Sequence, residues 1–164
     1  MKQRWIVVLV AALTFTGVFG FPASGWAVET FRALLNGGKE VPVCSTMGSG
    51  TLELTIPDDQ SRIDFLLQYA LEGSVMVAHI HLGKRTEAGG VIVFFCGGGG
   101  KPDCPPSPAA VSGTIVAGDV VGPAGQGIAP GEGGELLRAI RSGQAYANVH
   151  SNICPNGEVR GQIR

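Results

Sequence analysis

Between Thr30 and Arg164 the sequence is built of short apolar-rich runs closed by Gly, Pro, Asp or Asn, and helical spacing is scarce. Eight runs predict strands: TFRALL (30–35), GTLELTI (50–56), RIDFLLQYA (62–70), VMVAHIHL (75–82), VIVFF (91–95), VSGTIV (111–116), AYANVH (145–150) and EVRGQIR (158–164). PDDQS, between the second and third, carries turn chemistry, with Asp59 or Ser61 placed to bond nearby backbone. One segment is helical. In GELLRAIRSG (134–143), Leu136, Leu137 and Ile140 share a face, Arg138 and Arg141 lie away from it, and Gly143 is a stop. Its expected place is at one end of the β structure, and the Gly- and Pro-dense stretch before it (117–134) reads as a surface excursion. The pattern predicts an all-β fold: a Greek-key sandwich or flattened barrel of about eight strands with one short helix.

Alternation also assigns faces. In VMVAHIHL, Ala78, Ile80 and Leu82 point one way and His79 and His81 the other, and burial of the aliphatic set turns the imidazoles outward. Val75 and Val77 share the histidine face, which is therefore not uniformly polar. In AYANVH, Tyr146, Asn148 and His150 share the outer side, and in the final strand Glu158, Arg160, Gln162 and Arg164 do. Pro155, Asn156 and Gly157 favour a turn between these two strands, which form a hairpin. If the HIH strand lies beside that hairpin, one outer patch gathers His79, His81, His150, Asn148, Glu158, Arg160 and Gln162.

The chain has three histidines, and that patch would hold all of them. Imidazoles at i and i+2 project side by side from a strand, close enough for both to reach one metal ion. A third from another strand completes a trigonal or open tetrahedral set suited to Cu, Zn or Ni, with a position left for water or another ligand. A structural role is the alternative, in which the rings hydrogen-bond loop carbonyls or carboxylates such as Glu40 or Glu158. Arg160 could attract an anion or pair with the same two carboxylates. No catalytic residues are identified: the serines lack a GxSxG setting, and the GGGG at 97–100 lacks the lysine and helix of a phosphate loop.

The first 27 residues differ from the rest. Lys2 and Arg4 precede an apolar run from Trp5 to about Phe21, and small residues follow, with cleavage expected after Ala27. Gly17, Gly20 and Pro22 interrupt the run before it reaches the roughly 20 residues of a membrane span. The expected organisation is a signal peptide (1–27) and a single domain (28–164), with no membrane association after cleavage and an extracytoplasmic destination, periplasmic or secreted. The 164-residue chain carries a net charge of −1, and loss of Lys2 and Arg4 leaves the domain mildly acidic, with no basic block for nucleic acid. Its four cysteines all follow residue 27, and an even count in an oxidising compartment favours disulfides. A short GGGGKPD loop suggests Cys96 with Cys104, leaving Cys44 for Cys154; a four-cysteine zinc site lacks the CxxC spacing.

In their order and spacing, FRALLNGGKEVPV, AHIHLG, GGVIVFF, VSGTIV, ELLRAIRSGQAYANVHS and PNGEVRGQI resemble the CHRD domain, first named from chordin and found in many bacterial exported proteins. The resemblance covers essentially the whole of 28–164. It implies recurring polar positions at Glu40, His79, His81, Asn148, His150, Glu158, Arg160 and Gln162. Departures are VPVC for the family's frequent VPPV, Ser151 for a frequent Thr, and the cysteine-bounded insertion from Cys96 to Cys104. The growth-factor antagonism of chordin as a whole does not transfer to a chain with a bacterial-type export signal. The HxH strand with a later histidine is also similar to the copper-site layout of the copper/zinc superoxide dismutase fold, a Greek-key β-barrel. That likeness implies a metal locus, yet no histidine is left for a fourth copper ligand, a bridging imidazole or a zinc site. The expectation is an exported, disulfide-stabilised, non-enzymatic domain that binds an unidentified ligand or protein, or Cu or Zn through the histidine patch. A copper-dependent dismutase-like enzyme and a structural envelope or adhesion module are the alternatives.

Overall fold

Eight antiparallel strands form, and the computed structural model describes residues 27–164. The segment read as a signal peptide lies, apart from Ala27, outside the described residues. The strands are β1 (Glu29–Asn36), β2 (Ser49–Ile56), β3 (Ile63–Ala70), β4 (Val75–Leu82), β5 (Val91–Cys96), β6 (Ala109–Ile115), β7 (Ala145–Ser151) and β8 (Val159–Gln162), with helix α1 at Gly133–Arg141 between β6 and β7. β8 is shorter than the run that predicts it. Its continuation still pairs, because Arg32 N–H donates to the Arg164 carbonyl at 2.7 Å and Arg164 N–H returns to Arg32 at 2.9 Å.

All strands lie in one sheet, in the order β5-β4-β7-β8-β1-β2-β3-β6. The two edge strands, β5 and β6, approach each other, so the sheet curls into a nearly closed barrel. Strands β4, β5 and β6 run consecutively round it, and β7 returns beside β4, which is a Greek key. Closure leaves little edge available for pairing with other chains.

The barrel interior is the apolar half of each alternation. Ile63, Phe65, Leu67 and Tyr69 of β3 are buried while the residues between them reach solvent, and Leu52, Leu54 and Ile56 face them from β2. Phe65 and Phe95 meet across the core at 4.7 Å between ring centres. Each fully buried large aliphatic contributes roughly 1.5–3 kcal/mol. Helix α1 adds Leu136, Ala139 and Ile140 to this core, and it stops where Gly143 turns left-handed at φ +67°, with its N–H on the Ile140 carbonyl. The stretch 117–134 is more than a surface excursion. Val120 and Ile128 are buried in the core cluster, so two apolar side chains anchor this Gly- and Pro-rich connection. The PDDQS turn is held by Asp59, whose carboxylate accepts from the Ser61 N–H and hydroxyl at 3.0 and 2.8 Å.

Two disulfides tie the loops to this frame. Cys96–Cys104 closes a short loop at the seam between β5 and β6, and Cys44–Cys154 joins chain segments 110 residues apart. No cysteine is free among the described residues. No helix among them is long and apolar enough to cross a membrane.

Candidate metal centre

The β4–β7 pairing brings the histidines together. His79 lies opposite Asn148, His81 opposite Tyr146, and Val77 opposite His150, which makes His150 a diagonal neighbour of His79 on the same face. Register shifts on the β5 side bracket the segment, between Ala78 and His79 and again between Ile80 and His81. The ring centres of His79 and His81 are 4.4 Å apart, those of His79 and His150 4.6 Å, and those of His81 and His150 6.3 Å. One ring nitrogen from each lies within 4.8 Å of those of the other two. Three nitrogens bound to one ion at about 2.0 Å stand roughly 3.3–3.5 Å apart, so the set would draw together by up to about 1.5 Å on binding.

The face that carries them is polar but not open to solvent. His79 is only 4% exposed, and Glu40, Asn148, Glu158 and Arg160 are buried as well. Two segments roof the patch. The 37–48 segment reaches over it with Glu40 and is pinned by the Cys44–Cys154 bond; the 83–90 connection covers it with backbone carbonyls. The outward direction of the histidines is therefore correct as a direction away from the barrel core, but the expected surface patch is an enclosed polar layer.

Backbone carbonyls orient two of the rings. His81 Nδ1–H donates to the Gly89 carbonyl at 2.8 Å, and His150 Nδ1–H donates to the Pro155 carbonyl at 2.8 Å. A carbonyl can only accept, so each bond places the proton on Nδ1 and leaves the Nε2 lone pair unshared. His150 Nε2 and His79 Nδ1 are buried without a hydrogen-bond partner among the described residues. Such orphaned atoms cost about 1–3 kcal/mol each. A metal ion would satisfy them, and the Nδ1–H···O=C support is the arrangement that fixes tautomer and aim in metal-ligating histidines. Burial holds all three imidazoles below their ordinary pKa, His81 at about 4, and so keeps them in the neutral form a metal requires.

The surrounding residues divide into two groups. Tyr146 stacks on His81, 4.8 Å between centres and 6° from parallel, and the Arg160 guanidinium sits 3.4 Å from the centre of the Tyr146 ring. Arg160 Nη2 donates to the carbonyls of Lys84 and Glu87 at 2.7 and 2.8 Å, and Gln162 donates to three carbonyls, those of Gly83, Gly143 and Ala145. Asn148 Nδ2 donates to both Glu40 oxygens at 2.7 and 2.9 Å. Gly157, at φ +131°, has to be glycine here, because a Cβ would stand 2.5 Å from Asn148 Nδ2 and 2.6 Å from Glu40 Oε1. Burial pushes the Glu40 carboxyl up to about 8, against the pull of Arg160.

Glu158 is not part of the histidine group. Its oxygens accept from the Thr46 hydroxyl at 2.9 Å, the Glu72 N–H at 2.8 Å and the Gly73 N–H at 3.2 Å, tying the β3–β4 turn to the 37–48 segment. Burial raises its pKa, but hydrogen bonds from Ser151, Glu72, Thr46 and Gly73 outweigh that and hold it low. Arg160 forms an ion pair with neither Glu40 nor Glu158 within 4.0 Å. Tyr146, the Gly89 and Pro155 carbonyls, and Phe94, whose ring meets His79 edge-on at 5.3 Å between centres, belong to the site although the motifs do not single them out. Tyr146 shares the His150 face by alternation, whereas the carbonyls carry no side-chain signal at all.

A nearly closed Greek-key barrel, stapled by two disulfides and carrying a roofed triad of imidazoles, is the class of structure defined here. The chain belongs to the CHRD family: the CHRD domain model matches residues 31–163. No curated protein and no solved structure matches it.

Proposed function

We propose that this CHRD protein is exported through its 1–27 signal segment and acts outside the cytoplasm as a non-enzymatic binding domain, holding one Cu or Zn ion with His79, His81 and His150. The observation that carries this reading is the convergence of three neutral imidazoles whose donor atoms lie within 4.8 Å of one another, two of those rings carrying a buried, unpartnered nitrogen. Three imidazole ligands leave a coordination position for a further group. All three histidines of the chain are used in one cluster, which leaves none for a second metal. Two disulfides among the described residues support an oxidising destination.

The test is a competition titration of the metal-free protein with Cu and Zn. Affinity tighter than about micromolar, falling at least about a hundredfold in His79→Ala and His150→Ala, supports the proposal. Retention weaker than about micromolar with His79→Ala unchanged sinks it. The carbonyl bonds from His81 and His150 favour one other reading, a purely loop-organising role. In that case a triple histidine variant loses thermal stability equally with and without chelator, whereas a metal site makes the wild-type stability chelator-sensitive.

A further inference from the structure

Arg160 is 2% exposed, yet its charge has no carboxylate partner within ion-pair distance among the described residues. Arginine is almost never so buried unless paired. Its hydrogen bonds run from Nη2 to two carbonyls, which relieve desolvation without neutralising the cation. The same side chain forms part of the wall of a cleft of about 750 Å³ between β1, the 38–43 segment, the 83–90 connection and β8. This is the size of a small-molecule site. The cleft lies beside the histidine cluster, with Tyr146 between Arg160 and His81.

The lining has two characters. Lys39, Arg85 and Arg164 join Arg160 around it, and none of the four forms an ion pair among the described residues; Arg32, also on the wall, is engaged by Glu53 at 2.9 Å. Lys39 donates to the Leu34 carbonyl, a neutral acceptor. Among the described residues Glu40 is the only acidic side chain on the wall, and it is bound by Asn148. Beside Thr86 and Gln162 the wall is apolar: Ala33, Val41 and Pro42, with Leu34 and Val43 at 68% and 67% exposure. Exposed aliphatics gathered at a concave, cationic surface mark a place where an apolar body is covered on binding.

We propose that this cleft is a binding site for a small amphipathic organic anion, a carboxylate with an aliphatic body, whose head group meets the Arg160 guanidinium between Lys39 and Arg85 and whose tail lies along Leu34, Val41 and Val43. Both Nη2 hydrogens are held by carbonyls, so Arg160 meets the carboxylate through its charge and a single hydrogen bond, and Lys39 and Arg85 supply the remaining cationic contacts. An inorganic anion would leave the aliphatic wall uncovered, and a neutral hydrocarbon would leave the cations unpaired. The site is separate from the histidine cluster and stands whether or not a metal binds there.

Calorimetric titration of the exported protein with octanoate, 1-octanol, acetate and inorganic phosphate tests it. Octanoate binds at least about tenfold tighter than each of the other three. The double variant Lys39→Gln/Arg85→Gln, at two exposed positions, weakens octanoate about fivefold, as does raised salt, while octanol is unmoved and metal titration is unchanged. Leu34→Ser weakens octanoate but not acetate. Octanol or phosphate binding as tightly as octanoate, or octanoate binding unaltered in the double variant, overturns the proposal. Thermal melts of each variant establish that the barrel is intact.

Discussion

Glu40 shows how one residue's environment sets its chemistry. It reaches inward from the 37–48 roof and is bonded to Asn148, whose backbone lies between the backbones of His79 and Arg160 in adjacent strands. Burial raises its pKa to about 8 from an ordinary 4.5, so between these values the native state holds a proton that the unfolded chain has lost. Stability from this group is complete below about 4.5 and is lost as pH rises through about 8. The imidazoles act in the opposite sense: lowered in the fold, they favour the native state above about 6.5 and cost stability as pH falls below it. Above about pH 7 the slope from Glu40 therefore stands alone among these four groups. Glu40→Gln in metal-free protein is expected to flatten the decline in denaturation midpoint between about pH 7 and 9, read from urea unfolding at each pH. An unchanged decline would show that Glu40 does not hold its proton in the fold.

At the scale of elements, the Cys44–Cys154 bond does two things. It pins the roof, and it sits one residue from Pro155, whose carbonyl orients His150. Replacing Cys44 and Cys154 by serine is expected to cost about 5 kcal/mol in the chain-entropy description and to weaken metal binding about tenfold or more through a loosened His150. The equivalent change at Cys96 and Cys104 costs about 2–3 kcal/mol and leaves metal affinity within about twofold. Denaturant unfolding and metal competition on the two variants separate these outcomes; equal loss of metal affinity in both would contradict the link to His150. The strands themselves are written in local alternation, which is why β2, β3 and β4 start and stop within a residue of their sequence signals. Alternation also places His79, His81, Asn148, His150 and Arg160 on one face. It does not report what covers that face, because the roof is made by loops whose contacts are non-local and run through backbone carbonyls. For the same reason Glu158, in phase with Arg160 along the strand, is drawn away by Thr46, Glu72 and Gly73, and Val120 and Ile128 are drawn into the core from a stretch with no periodicity.

For the whole molecule, the Greek-key closure gives a rigid apolar interior and puts the chemistry outside it, in a polar layer between barrel and roof. The Cα frame that spaces the three imidazoles is set by the β4–β7 register, and a slip of one residue would send them into the core. The proposed function requires this frame to present a single three-imidazole metal site. X-ray absorption spectroscopy of the Cu- or Zn-loaded protein tests it most directly. The expected result is one ion per chain with three imidazole nitrogens at about 2.0 Å. A metal shell dominated by oxygen or sulfur, or one that is unchanged when His79 and His150 are replaced by alanine, would contradict it.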